Sequence, residues 1–133
     1  MSIRPHSIHH VNVPCTDVER TKEWYARVFG MRHVPTGGQS NTRVLLMTRG
    51  NFDIHFTPHD DAPRLAPHHF AVEVEDWDGF LAHIDSLGIR RTKITVRPQN
   101  NSKICYIHDP DRNMVELTHH GDWDHSRPHA TEP

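Results

Sequence analysis

A chain of 133 residues is long enough for one domain whose core needs no staples, and residues 1–133 read as a single domain. A net charge of −2 and a pI near 6.7 argue against nucleic acid or an anionic membrane as partner. No apolar run approaches a membrane span, the start Met1-Ser2-Ile3-Arg4-Pro5-His6 lacks a signal-peptide core, and two cysteines make no disulfide framework, so a cytoplasmic protein is expected.

Composition departs from the norm in its 14 histidines. Their abundance weakens any argument from a lone histidine, so position must carry the case. His119, His120, His125 and His129 fall in a polar tail with Pro128 and Pro133, which reads as a loose end.

Residues 7–13 alternate, with His9, Val11 and Val13 on one face of a strand and His10 and Asn12 on the other. Asp17 is the expected N-cap of a helix, with Arg20 where a capping box would place Glu. Val18, Thr21, Trp24, Tyr25, Val28 and Phe29 share one helical face, and Gly30 ends it. Short strands follow at 31–35, 43–48 and 52–57, with a loop at 36–41 and a tight turn around Arg49-Gly50-Asn51. The first module, about 6–58, is therefore β-α-β-β-β. A proline-rich linker spans 59–67.

The second module, about 68–118, repeats that order, followed by the tail at 119–133. His68-His69-Phe70-Ala71-Val72 echoes His9-His10-Val11-Asn12-Val13 after about 60 residues. Asp76 caps a helix whose stripe is Trp77, Phe80, Leu81, Ile84 and Leu87, and Gly88 closes it. Strands are expected at 91–97, 103–108 and 114–118, with Asp109-Pro110-Asp111-Arg112-Asn113 as a turn. The fold class is α+β: two paired β-α-β-β-β modules forming a curved, barrel-like mixed sheet with helices outside. Cys15 falls at a strand end and Cys105 within a strand, each as a small semi-buried residue.

Strand parity singles out four positions. His10, His55, His69 and Glu116 each face away from their apolar neighbours, at matched places in the two modules. Two or three imidazoles with one carboxylate suit a divalent transition metal, whether iron, zinc, nickel, cobalt or manganese. His9 and His68, on the apolar face, read as core or supporting histidines.

The sequence resembles the vicinal oxygen chelate superfamily, which includes glyoxalase I, fosfomycin-resistance enzymes, extradiol dioxygenases and bleomycin-resistance proteins. The resemblance covers 7–118. It rests on His10-Val11-Asn12-Val13, Trp24-Tyr25 with Phe29-Gly30-Met31, His69-Phe70-Ala71-Val72, and the run Tyr106 to Leu117. In that run Arg112 stands where glycine is usual. The resemblance implies His10, His69 and Glu116 as metal ligands, with His55 as a fourth ligand or an acid–base group. It implies a small-molecule substrate and a homodimer that forms the cavity across its interface.

Two activities follow. One is a glyoxalase-like lyase or isomerase that stabilises an enediolate on the metal, with Glu116 or His55 moving the proton. The other is an Fe(II) dioxygenase of a catechol-like substrate, with His55 as acid–base group and Tyr106 as hydrogen-bond donor. A fosfomycin-type transferase fits less well, since Asn100-Asn101-Ser102-Lys103-Ile104 keeps one serine of that family's phosphonate loop. A metal-free drug-binding protein would lack the ligand set. Loop 36–41, linker 58–67 and segment 98–103 are expected at the mouth, with Arg43, Arg97 and Lys103 available to an anion.

Overall fold

Each strand–helix module places its helix by capping chemistry that the sequence announces. In the computed structural model, which describes residues 3, 5–35 and 43–126, the elements run β1 (His10–Cys15), α1 (Val18–Phe29), β2 (Arg32–His33), β3 (Leu45–Thr48), β4 (Asp53–Pro58), β5 (His69–Glu73), α2 (Trp77–Ser86), β6 (Thr95–Val96), β7 (Lys103–His108) and β8 (Met114–His119). The loop over 36–41, His129, Pro128 and Pro133 lie outside the described residues. No helix among the described residues is long and apolar enough to cross a membrane.

The chain divides into two units, one of residues 1–67 with 109–113 and one of 68–108 with 114–133. The first holds a four-stranded sheet in the order β1-β4-β3-β2, with β1 and β4 parallel and the other pairs antiparallel. Asp17 caps α1 by accepting from the Arg20 amide at 3.0 Å, and Gly30 ends it at φ 67°, a left-handed conformation that costs glycine little. The helix buries Thr21, Trp24, Tyr25, Val28 and Phe29, with the Tyr25 ring 4.6 Å from that of Phe56. Register aligns Val13, Phe56 and Leu45 on this apolar face, and Ile54 with Met47 beside them; all five are buried.

The turn 109–113 is the polar anchor of this unit. Tyr25 donates its hydroxyl to Asp109 at 2.8 Å, the Asn113 amide group donates to Asp109 and to the Pro14 carbonyl, and Asp111 accepts from Thr16 and Arg20. Arg20 is thus spent on Asp111, which explains why this helix start carries arginine three residues after its cap.

The second unit repeats the topology as β5-β8-β7-β6, with β5 parallel to β8. Asp76 caps α2 through the Gly79 amide, and Trp77, Leu81 and Ile84 are buried. The helix stops at Ser86 with Leu87 as its cap, and Gly88 follows in the left-handed region. Phe70, Val115 and Ile107 align on one face, as do Val72, Leu117 and Cys105.

The α+β class and both β-α-β-β-β modules stand. The sheet comes as two separate four-stranded sheets, neither closed into a barrel. Several details differ from expectation, among them β2, which shortens to Arg32–His33, and β3, which starts at Leu45. β1 begins at His10 because β4, its parallel partner, begins at Asp53. β6 shrinks to Thr95–Val96, since the Thr92 hydroxyl takes the Tyr106 amide that a longer ladder would use. Both cysteines are fully buried, Cys15 at 0% and Cys105 at 1% exposure.

Candidate metal-binding and catalytic residues

In the first unit, parallel pairing of β1 with β4 puts Asn12 opposite His55 and His10 opposite Asp53. His10 and His55 share the face opposite Val13 and Phe56, as parity requires. Their rings stack at 3.7 Å between centroids with 18° between planes. His9 joins them: its Nδ1 lies 2.9 Å from His10 Nδ1, and its Nε2 is 3.7 Å from Asp53. One donor nitrogen from each of His9, His10 and His55 falls within 4.8 Å of the others. Burial pushes the His55 imidazole below its ordinary pKa, and the neighbouring His10 adds to the effect.

His9 is therefore no core histidine; its side chain is 74% exposed. It precedes β1, so strand alternation does not govern it. His68 is likewise exposed, just ahead of β5. The doubled His-His start of each module is the one signal in the sequence that the first histidine accompanies the second.

In the second unit, β5 sets Ala71 opposite Glu116, and β7 sets Tyr106 opposite Glu116 from the other side. The Glu116 carboxylate is buried, at 9% side-chain exposure. Three groups meet it: Tyr106 donates its hydroxyl at 3.1 Å, His69 Nε2 lies at 3.4 Å, and Arg97 Nη2 at 3.5 Å. A buried carboxylate needs such partners, because burying a lone charge is expensive. Burial and the adjacent carboxylate push the Tyr106 hydroxyl above its ordinary pKa, so it stays protonated as a donor. The sequence offers Arg97 only as a cation available to an anion; that Glu116 is its partner has no signal, because Arg97 lies beyond the two residues of β6.

Of the predicted site residues, His10 and His55 meet in the first unit, and His69, Glu116 and Tyr106 meet in the second. Three of the tail histidines, His119, His120 and His125, correct the expectation of a loose end. Within the second unit His120 and His125 bond to Glu73, and His119 bonds to the Val74 carbonyl.

Comparison with known proteins agrees with this architecture. A trivalent organoarsenical cleaving enzyme of Bacillus sp. (strain MD1) is 27% identical over 81% of this chain and 70% of its own length. A lactoylglutathione lyase from Agrobacterium tumefaciens shares the fold with a TM-score of 0.69 at 22% identity, covering 90% of this chain and 97% of that one. So does a mutant of the genomically encoded fosfomycin resistance protein FosX from Listeria monocytogenes, solved with Mn(II) and 1S,2S-dihydroxypropylphosphonic acid. Its TM-score is 0.72 at 18% identity, over 86% of this chain and 92% of that one. The family model described as the Glyoxalase/Bleomycin resistance protein/Dioxygenase superfamily matches residues 7–117, and the chain belongs to that superfamily.

Proposed function

We propose that this protein is a metal-dependent lyase or isomerase acting on a small substrate with adjacent oxygen atoms. The observation that carries the reading is the matched pairing of donors, His10 with His55 on β1 and β4 and His69 with Glu116 on β5 and β8. Imidazole and carboxylate donors of this kind suit a divalent ion, and the family resemblance implies that His10, His69 and Glu116 are its ligands. Such an ion, when bound, draws charge from neighbouring substrate oxygens and favours the anion left by a departing proton.

The stacking of His10 on His55 divides their roles. Each ring's lone pair lies in its own plane, so two planes 18° apart send their lone pairs side by side rather than to one point. On this reading His10, His69 and Glu116 hold the ion, as the family resemblance implies, and His55 moves the proton. Its lowered pKa keeps the ring neutral, able to accept a proton at the start of the reaction. His9 supports His10: a hydrogen on His10 Nδ1 accepted by His9 leaves His10 Nε2 as the lone-pair nitrogen. Arg97 and Tyr106 orient the Glu116 carboxylate and balance its charge.

Two histidines with one carboxylate also favour a second reading, an iron-dependent dioxygenase with His55 as acid–base group. A deuterium-exchange screen separates the two. Metal-loaded protein incubated in D2O with a panel of α-hydroxycarbonyl compounds and thiol adducts of α-ketoaldehydes is expected to label the carbon next to the carbonyl, and His55→Ala to slow the labelling at least 100-fold, on the order of the usual worth of a positioned acid–base group. Oxygen uptake with catechols and no labelling would transfer the assignment to the dioxygenase. The family resemblance also supports a homodimer, which the mass in solution tests.

A further inference from the structure

The C-terminal end of β5 carries a second group of donors, distinct from the residues assigned above. Glu73, His119 and His125 each offer one donor atom, and all three atoms lie within 4.8 Å of one another. We propose that these three residues form a second divalent-metal site, with donors suited to zinc, that fastens the segment after β8 to the end of β5.

Three features support a site rather than a chance meeting of polar side chains. First, His119 Nδ1 lies 2.6 Å from the Val74 carbonyl, which can only accept, so the ring hydrogen sits on Nδ1. In the neutral ring Nε2 is then the lone-pair nitrogen, the arrangement found in metal-bound histidines backed by a carbonyl. Second, the Glu73 carboxylate is braced from behind. His120 donates its backbone amide to Oε2 at 2.8 Å and sets Nδ1 2.7 Å from Oε1, while the His120 ring stacks on Trp123 at 3.8 Å.

His119 and His125 hold near-parallel rings, 8° apart at 5.7 Å between centroids, so one ring must turn before both lone pairs meet at one ion. That spacing is wider than van der Waals stacking. Third, Thr118 lies opposite Glu73 in the β5–β8 register, and its buried hydroxyl oxygen has no hydrogen-bond partner among the described residues.

His125 Nε2 now lies 2.8 Å from Glu73 Oε2, with one hydrogen between them. Metal binding requires that hydrogen to leave Nε2 for solvent, and the neutral ring then carries its one hydrogen on Nδ1. Tetrahedral zinc needs its donors ~3.4 Å apart, so the His125–Glu73 pair opens from 2.8 Å and wider pairs within 4.8 Å close, changes that side-chain rotation can supply. Two imidazoles, one carboxylate and one water complete four-coordination.

The test is a zinc titration of the full chain carrying His10→Ala, His55→Ala and His129→Ala, so that neither the first set of ligands nor the last tail histidine competes. Ring-nitrogen NMR reads each histidine directly. One equivalent of zinc is expected to shift the ring nitrogens of His119 and His125, and adding His119→Ala is expected to weaken zinc binding at least about 10-fold. Adding Glu73→Gln, which keeps the side-chain shape, should weaken it by a similar factor. Rings of His119 and His125 that do not move with zinc would overturn the site, and this readout needs no variant at these positions to fold. Zinc bound by the natural chain but by no residue of the triple variant would also overturn it, while leaving the first ligand set intact.

Discussion

Arg112 shows how one residue carries a local cost. It sits in the turn between β7 and β8 with φ 66°, the left-handed region that side chains with a Cβ enter at about 1–2 kcal/mol. Its amide nonetheless bonds to the Asp109 carbonyl at 2.9 Å, so the turn closes as a glycine would close it. Arg112→Gly is expected to raise unfolding stability by about 1 kcal/mol, less whatever the freer unfolded chain takes back, as read by urea denaturation. A loss of stability would show that the arginine side chain offsets its backbone strain. Asp109 in the same turn is titratable. Burial pushes its carboxyl above the ordinary range, and donors from Asn113, Tyr25 and Asp111 pull only partly back. Because the folded value is raised, the stability tied to its protonated form is complete below the unfolded pKa and is lost as pH rises through the folded one. The stability advantage of the natural chain over Asp109→Asn should therefore shrink as pH climbs from the ordinary aspartate range. Midpoints measured across that window check the sign, and a widening gap would contradict it.

At the scale of elements, caps and parity account for most of what the sequence makes legible. Asp17 and Asp76 announce both helix starts, and each accepts from the amide three residues on. Asp17→Ala is expected to cost about 1 kcal/mol of stability, with Asp17→Asn recovering most of it, as measured by thermal or urea unfolding. Strand alternation places His10 with His55, and His69 with Glu116, because a period of two leaves no freedom once the apolar face is known. The same rule fails for His9 and His68, which precede their strands. It does not reach Arg97, which lies past the two residues of β6, nor does it reveal that a threonine side chain replaces a ladder bond near 92. The tail histidines are illegible for a related reason. Their partners, Glu73 and the Val74 carbonyl, are distant in sequence, and no periodic pattern links residues 119–125 to the end of β5.

At the scale of the whole molecule, the duplicated module is the central fact. Two units with the same strand order present chemically related donors at matched strand positions, histidine in three places and glutamate in the fourth. Duplication explains why the donor set is visible in the sequence, while the loops, which no repeat constrains, carry no comparable signal. The proposed chemistry stands or falls on whether His10, His69 and Glu116 hold one divalent ion. Elemental analysis decides this, on tag-free protein purified without oxygen and on the His10→Ala, Glu116→Ala double variant prepared alongside. The variant is expected to hold one ion per chain fewer than the natural protein, with zinc, nickel, cobalt or manganese favouring the lyase or isomerase and iron the dioxygenase. Equal metal in both proteins, or none in either, would contradict the assignment.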